Sequence, residues 1–249
     1  MNKITSRDYD ALVLAQGLQF QIDNYYEPKE VSMKERVSIV MAALQPKQGE
    51  WILDVGCGVG TFAFHCIKAG VLAVGLDYSF ESIRTAKRLC EKFGVSPWAR
   101  FVVASAANLP FKDGSFDKLV AADFIEHITL PEKERFVKEM RRALKAKGSA
   151  VIFTPNRTRE RIGAFYWKLR NKLFKNSIPT TDLHFGLTGE AEFKKICRKN
   201  NFRINLRFKD ITRPCLARLP VLRRFLALNL LWRLGCEHEC VDKNTSFEL

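Results

Sequence analysis

Between Trp51 and Thr61 the chain reads Trp-Ile-Leu-Asp-Val-Gly-Cys-Gly-Val-Gly-Thr: an apolar run, one acid (Asp54), and Gly56, Gly58 and Gly60 set around Cys57. This pattern, opening into the apolar stretch Thr61 to Ala69, predicts a buried strand, a tight turn and a helix, with a ligand able to lie directly on the glycine backbone. Amides at such a helix start ordinarily attract an anion, as in dinucleotide-binding folds. Asp54 in the loop mouth opposes that charge, so the loop suits a ligand with a cationic group better than a diphosphate. The plainer role for Asp54 is to cap the turn. A second acid, Asp77, closes the next apolar run, Val71-Leu-Ala-Val-Gly-Leu-Asp, where nucleotide-binding folds hold a ribose diol. Asp123, Glu126 and His127 come later, and their i, i+3, i+4 spacing predicts a shared face on a helical turn. Such a set can place His127 as a general base, or ligate a divalent metal through all three side chains. The plainer reading leaves Glu126 and His127 bonded to local backbone. His184, in Thr181-Asp-Leu-His-Phe-Gly-Leu187, is a second imidazole placed before a capped helix.

These residues need a scaffold, and the pattern supplies one. Residues 8–28 carry Tyr9, Phe20, Tyr25 and Tyr26 and are expected as a helical arm over the ligand; Val31 to Leu44 has helical apolar spacing ended by Pro46 and Gly49. Ser79 is a natural N-cap for a helix Phe80–Phe93 stopped by Gly94. Short strands are expected at Arg100–Ala104, Phe116–Ala121 and Ser149–Thr154, a charged helix from Pro131 to about Lys145, a helix capped by Thr188, and a strand Phe202–Phe208. Alternating strands and helices predict an α/β fold with a doubly wound, mostly parallel sheet. The whole reads as one domain: an N-terminal arm (1–35), a binding core (36–155), a basic aromatic insertion (156–186), the last helix and strands (187–235) and a tail (236–249). Cys236-Glu-His-Glu-Cys240 lacks the second ligand pair of a tetrahedral zinc site and belongs to that tail.

With the acidic glycine loop, the strand-end acid, the Leu109-Pro-Phe111 loop and the Phe116-Asp117 strand in this order, the chain resembles the class I S-adenosylmethionine-dependent methyltransferases. It is most similar to the type 11 group that includes the quinone-biosynthesis methyltransferases, over roughly residues 36–210. The resemblance implies a seven-stranded Rossmann-like sheet with its last strand reversed, in the region Leu228–Leu234. It implies S-adenosylmethionine as cofactor, with the glycine loop and Asp54 near the methionine amino group, Asp77 on the ribose, and Tyr78, Ser79, Ser105 and Ala106 around the adenine. Asp123 would close the same site. Relatives commonly carry an aspartate where this chain has Ser105, and a hydroxyl accepts the adenine amino group's hydrogen bond more weakly than a carboxylate does. His127 and then His184 are the candidate bases near the transferable methyl. No metal is expected, with Asp123, Glu126 and His127 as the alternative ligand set.

Charge and composition narrow the partners. The net charge is +14, from 41 Lys and Arg against 27 Asp and Glu, and most of the excess follows residue 140. Basic residues interleave with Phe165, Tyr166, Trp167 and Phe174, and the leucine-rich stretch Pro214–Leu234 carries four arginines and Trp232. Such a face suits an anionic membrane surface or a nucleic acid. The sequence Ala122-Asp-Phe-Ile lacks the Asn- or Asp-Pro-Pro-aromatic clamp of base amino-methyltransferases, which weighs against nucleic acid. Pro214–Leu234 has a plainer reading as cover for the sheet edge. Seven scattered cysteines and no run of about 18 apolar residues fit a reducing cytoplasm, with peripheral attachment to a membrane. The expected activity is methyl transfer to a small, apolar or lipid-linked acceptor. Methylation of RNA or a protein side chain, and a non-catalytic cofactor-binding subunit, are the alternatives.

Overall fold

The computed structural model describes residues 5–161, 186–209 and 227–236. A helix α1 (Ser6–Gln21) runs into a π-helical turn (Ile22–Tyr26), followed by α2 (Val31–Leu44). Then come β1 (Trp51–Val55), α3 (Thr61–Lys68), β2 (Leu72–Asp77), α4 (Phe80–Lys92), β3 (Ala99–Val103) and β4 (Phe116–Ala122). A 3₁₀ turn (Ile125–His127) leads to α5 (Leu130–Ala143), β5 (Leu144–Pro155), α6 (Glu190–Lys199), β6 (Phe202–Lys209) and β7 (Asn229–Cys236). The seven strands form one sheet in the order β3-β2-β1-β4-β5-β7-β6. β7 lies antiparallel between β5 and β6, and the pairings among the first five strands are parallel. This is the doubly wound α/β sheet that the pattern predicted, with the reversed last strand that the resemblance implied. Strand order reverses between β1 and β4, and a crevice opens there beyond the strands' carboxyl ends.

Period-two alternation sorts the core onto the two faces of the sheet. Leu53, Val55, Leu119, Ala121 and Ile152 pack with Phe136 of α5 and Phe193 of α6, while Ile52, Val120, Val151 and Phe153 pack with Val40, Phe62 and Ala86 of α2, α3 and α4. Alternation therefore turns Asp54 toward α3, away from the face of Leu53 and Val55. Ser79 caps α4 as expected, its Oγ accepting from the Ser82 amide at 3.0 Å.

Several boundaries differ from expectation. α5 starts at Leu130, one residue before Pro131, because Thr129 and Glu132 form a capping box around that start. The fifth strand begins at Leu144, directly from the helix, since the buried Leu144 pairs with Phe116 across an irregular register. α6 is capped by Gly189; the Thr188 hydroxyl instead donates to the Gly186 carbonyl at 3.2 Å. Trp232 is 1% exposed and packs edge-on against Phe193, so this end of the leucine-rich stretch is an interior strand and no membrane contact. His184, Phe165–Trp167 and Pro214–Leu226 lie outside the described residues. Among the described residues no helix is long and apolar enough to cross a membrane.

Candidate functional site

A cavity of about 420 Å3 opens at the carboxyl ends of β1, β2 and β4. Its floor is the glycine loop. Gly56 sits at φ 67° with its Cα toward Phe124; an added Cβ would meet that ring at 2.3 Å, so no other residue fits there without displacing the cavity wall. Gly56, Cys57 and Gly58 line the cavity, whereas Gly60 turns its back to it and packs against Phe101. Burial pushes the Cys57 thiol well above its ordinary range, which makes it an inert wall.

Asp54 lines the cavity but is only 1% exposed, and its Oδ2 accepts from the Ala63 amide at 2.9 Å, with the Phe62 amide also directed to it. Gly60, the N-cap of α3, offers no side chain, and Asp54 supplies the missing acceptor from the neighbouring strand. Capping and cavity lining are thus one arrangement. Burial raises the Asp54 carboxyl to about 7 against the pull of those amides and of Arg36. Asp77 ends β2 and grips the loop: Oδ2 accepts from Gly58 N and Oδ1 from Ser79 N, both at 2.9 Å. Burial raises its carboxyl too, against these bonds and one from the Tyr78 amide. Tyr78 stands at the rim. Ser79 is fully buried and outside the cavity wall, because its hydroxyl is committed to the helix cap and to Asp10. Ser105 lines the cavity with Ala106, and its Oγ accepts from the Ala107 amide at 3.2 Å.

The segment after β4 does not form the expected face. Asp123 takes a positive φ of 51°, and the residues after it make a single 3₁₀ turn, in which successive side chains point about 120° apart. His127 lines the cavity. Glu126 turns inward, 1% exposed, accepting from the Thr154 hydroxyl at 3.0 Å while its Oε1 has no partner; burial, then the nearby Asp123, raise its carboxyl to about 8. Among the described residues no three acid, histidine or cysteine side chains gather as a metal site. Glu126 thus faces the core, while Asp123 and His127 both line the cavity.

One part of the wall escaped the sequence reading. Arg36 of α2 is buried, donates from Nε to Asp123 and lies 5.0 Å over the Phe62 ring, with its Nη1 unpartnered. It stands one turn before Val40 and two before Leu44 on the helix's buried stripe, and a charge on an apolar stripe was the available signal. Tyr9, Leu12, Val13 and Gln16 of α1 close the cavity from above, with Tyr9 edge-on to Tyr78 (5.7 Å) and to His127 (5.9 Å).

Residues 53–152 match a family model described as a methyltransferase domain. Norajmaline N-methyltransferase from Rauvolfia serpentina is 36% identical over 107 residues, covering 43% of this chain and 36% of that protein. The ubiquinone/menaquinone biosynthesis C-methyltransferase of Geotalea uraniireducens (strain Rf4) is 38% identical over 111 residues, covering 42% and 45%. The chain thus aligns with between 31% and 45% of the length of such relatives. Two solved structures share the fold across most of the chain. PH0226 protein from Pyrococcus horikoshii OT3 has a TM-score of 0.63 at 19% identity, covering 87% of this chain and 96% of that one. Geranyl diphosphate methyltransferase in complex with SAM has a TM-score of 0.61 at 17% identity, covering 82% and 85%.

Proposed function

We propose that this chain, whose residues 53–152 match a methyltransferase-domain model, is an S-adenosylmethionine-dependent methyltransferase acting on a small, apolar or lipid-linked acceptor. The observation that carries the reading is the grouping in one cavity of Asp77, the glycine loop, Arg36 and His127. The residues present fit the cofactor. The Asp77 carboxylate is an acceptor for a ribose diol, and the Gly56–Gly58 backbone and Asp54 face a cationic methionine end. Arg36, the one permanent cation among the described lining residues, has an unpartnered donor for a carboxylate. Ser105 and Ala106 lie on the adenine side. When bound, the cofactor supplies a methyl group made electrophilic by its sulfonium.

The chain's own share is alignment, exclusion of water and handling of a proton. Tyr9, Leu12 and Val13 roof the cavity, and His127 beside Tyr9 takes the acceptor's proton on its imidazole. Phe124, Ile128, Leu12 and Met33 give the acceptor an apolar seat. The relatives named for alkaloid and quinone substrates are consistent with such a seat. Calorimetric titration with S-adenosylmethionine tests the cofactor, and mass spectrometry of small-molecule and lipid extracts from cells with and without the gene tests the acceptor class. A missing mass step of one methylene would name it.

Attachment to an anionic membrane surface belongs to the same reading. Leu12, Phe80 and Leu130 are exposed, and Leu12 also lines the cavity. A groove of about 370 Å3 between α5 and α6 is lined by Arg135, Lys138 and Lys199 against a single acid, Glu134, and none of the three cations is ion-paired among the described residues. Each basic residue near an anionic surface contributes about 1 kcal/mol, enough in combination for salt-sensitive binding. Flotation should recover the chain with anionic vesicles and not with neutral ones, and high salt should release it. Equal recovery with both, or none with either, refutes this attachment.

A further inference from the structure

The cavity roof is held in an unusual way. In α1 the only buried residue is Gln21, at its end. That end is anchored: the π-helical turn after it buries Ile22 and Tyr26, the Tyr26 hydroxyl donates to the Val59 carbonyl at 2.7 Å, and its ring packs 4.3 Å from Phe64. In the preceding turns, 6–16, no residue is fully buried: Val13 packs part-buried against the cluster of Val59, Phe64 and Leu89, and Leu12 and Leu14 are exposed. Gly17 separates the two halves at φ 73°, ψ 168°, a non-helical joint with open space around it. A polar attachment crosses from the free half to the end of the binding loop. Asp10 Oδ1 accepts from the Ser79 hydroxyl at 2.6 Å and from the Glu81 amide at 3.0 Å, at the start of α4, two residues beyond Asp77.

We propose that Asp10 is a positioning residue for the cofactor: it latches the first half of α1, jointed at Gly17, over the cavity, so that Tyr9, Leu12, Val13 and Gln16 retain the bound cofactor. The inference rests on the cofactor reading above. A carboxylate accepting from two donors is a strong tie for a half-helix whose apolar contact is no more than part-buried. Both bonds end on Oδ1, so an asparagine retains them through its amide oxygen and an alanine loses both.

The test is stopped-flow displacement of S-adenosylhomocysteine, with backbone hydrogen exchange on the ligand-free chain. Asp10→Ala should release S-adenosylhomocysteine about tenfold faster or more, and should speed exchange across residues 6–16 while leaving β1, β2 and α4 protected. Asp10→Asn should stay within about threefold of the wild type in both readouts. Gly17→Ala, which disfavours the positive φ, should also hasten release. Unchanged release in Asp10→Ala refutes the proposal, as does an Asp10→Asn variant equal to the alanine. If exchange loosens but release does not quicken, α1 is no barrier and the proposal is likewise overturned. Failure of the wild-type chain to bind S-adenosylhomocysteine would overturn the cofactor reading instead, and exchange, which needs no ligand, would still show whether Asp10 holds α1.

Discussion

Removing the Asp77 carboxylate is the sharpest perturbation of the proposed cofactor site. Asp77 accepts from Gly58 and Ser79 at 2.9 Å each and from the Tyr78 amide. In this arrangement it fixes the middle of the glycine loop relative to β2 while presenting its remaining lone pairs to the cavity. A hydrogen bond between a charged acceptor and the ribose diol contributes about 1.5–3 kcal/mol, or roughly ten- to 150-fold in affinity. Asp77→Ala should therefore weaken S-adenosylhomocysteine by at least about tenfold, and loosening of the Gly58 amide adds to that loss. The two effects separate with a 2′,3′-dideoxy analogue. Wild type should bind it more weakly than the parent by about the ribose share, and Asp77→Ala should bind both ligands alike. Since burial holds the Asp77 carboxyl above its usual range, wild-type affinity should also fall on acidification, starting at a higher pH than for an ordinary aspartate. Equal calorimetric affinities for wild type and Asp77→Ala, or a dideoxy penalty that survives in the variant, would refute the ribose assignment.

The remaining predictions follow from other walls of the cavity. Arg36→Met should weaken S-adenosylhomocysteine about tenfold or more and leave 5′-methylthioadenosine, which has no carboxylate, unaffected in the same titration. His127→Ala should retain cofactor binding while turnover falls by about 10²-fold, and a chelator should leave wild-type turnover unchanged. The folded chain holds the Asp54 and Glu126 carboxyls at about 7 and about 8, above their ordinary 3.8 and 4.5. It therefore binds protons that the unfolded chain has released, and this contribution to stability is present at acid pH and lost as pH rises through those values. Glu126→Gln should flatten the decline in denaturation midpoint between pH 5 and 8; a slope identical to wild type would remove Glu126 as its source.

What could be read from the sequence was whatever lies close together along the chain. The apolar run into three alternating glycines, the acid at the end of the next strand and the Ser79 cap are all local patterns whose geometry follows from a few consecutive dihedrals. The structure returned each of them. The strand Asn229–Cys236 was recoverable only as a region, because its leucine-rich, arginine-dotted sequence fits a membrane surface as well as a buried strand. What decides the matter is pairing with β5 and β6, 76 and 32 residues earlier at Thr154–Leu230 and Arg203–Gly235.

The same physical limit explains the errors around the site. The spacing of Asp123, Glu126 and His127 is a statement about an α-helix. One residue at positive φ and a 3₁₀ turn were enough to send Glu126 into the core beside Thr154 and leave His127 in the cavity. Arg36 and Asp123 lie 87 residues apart and Asp10 and Ser79 lie 69 apart, so no periodicity relates either pair. Both are nonetheless foreshadowed by a local inconsistency. Arg36 sits on an apolar helical stripe, and α1 carries aromatic residues without enough apolar surface to bury its first half. A charge where the pattern calls for a hydrophobe, or a helix that its own burial cannot hold, requires a partner from elsewhere in the fold. In this chain one partner, Asp123, lines the cavity and the other, Ser79, lies two residues beyond Asp77, so the departures from pattern point to the site as the glycine motif does.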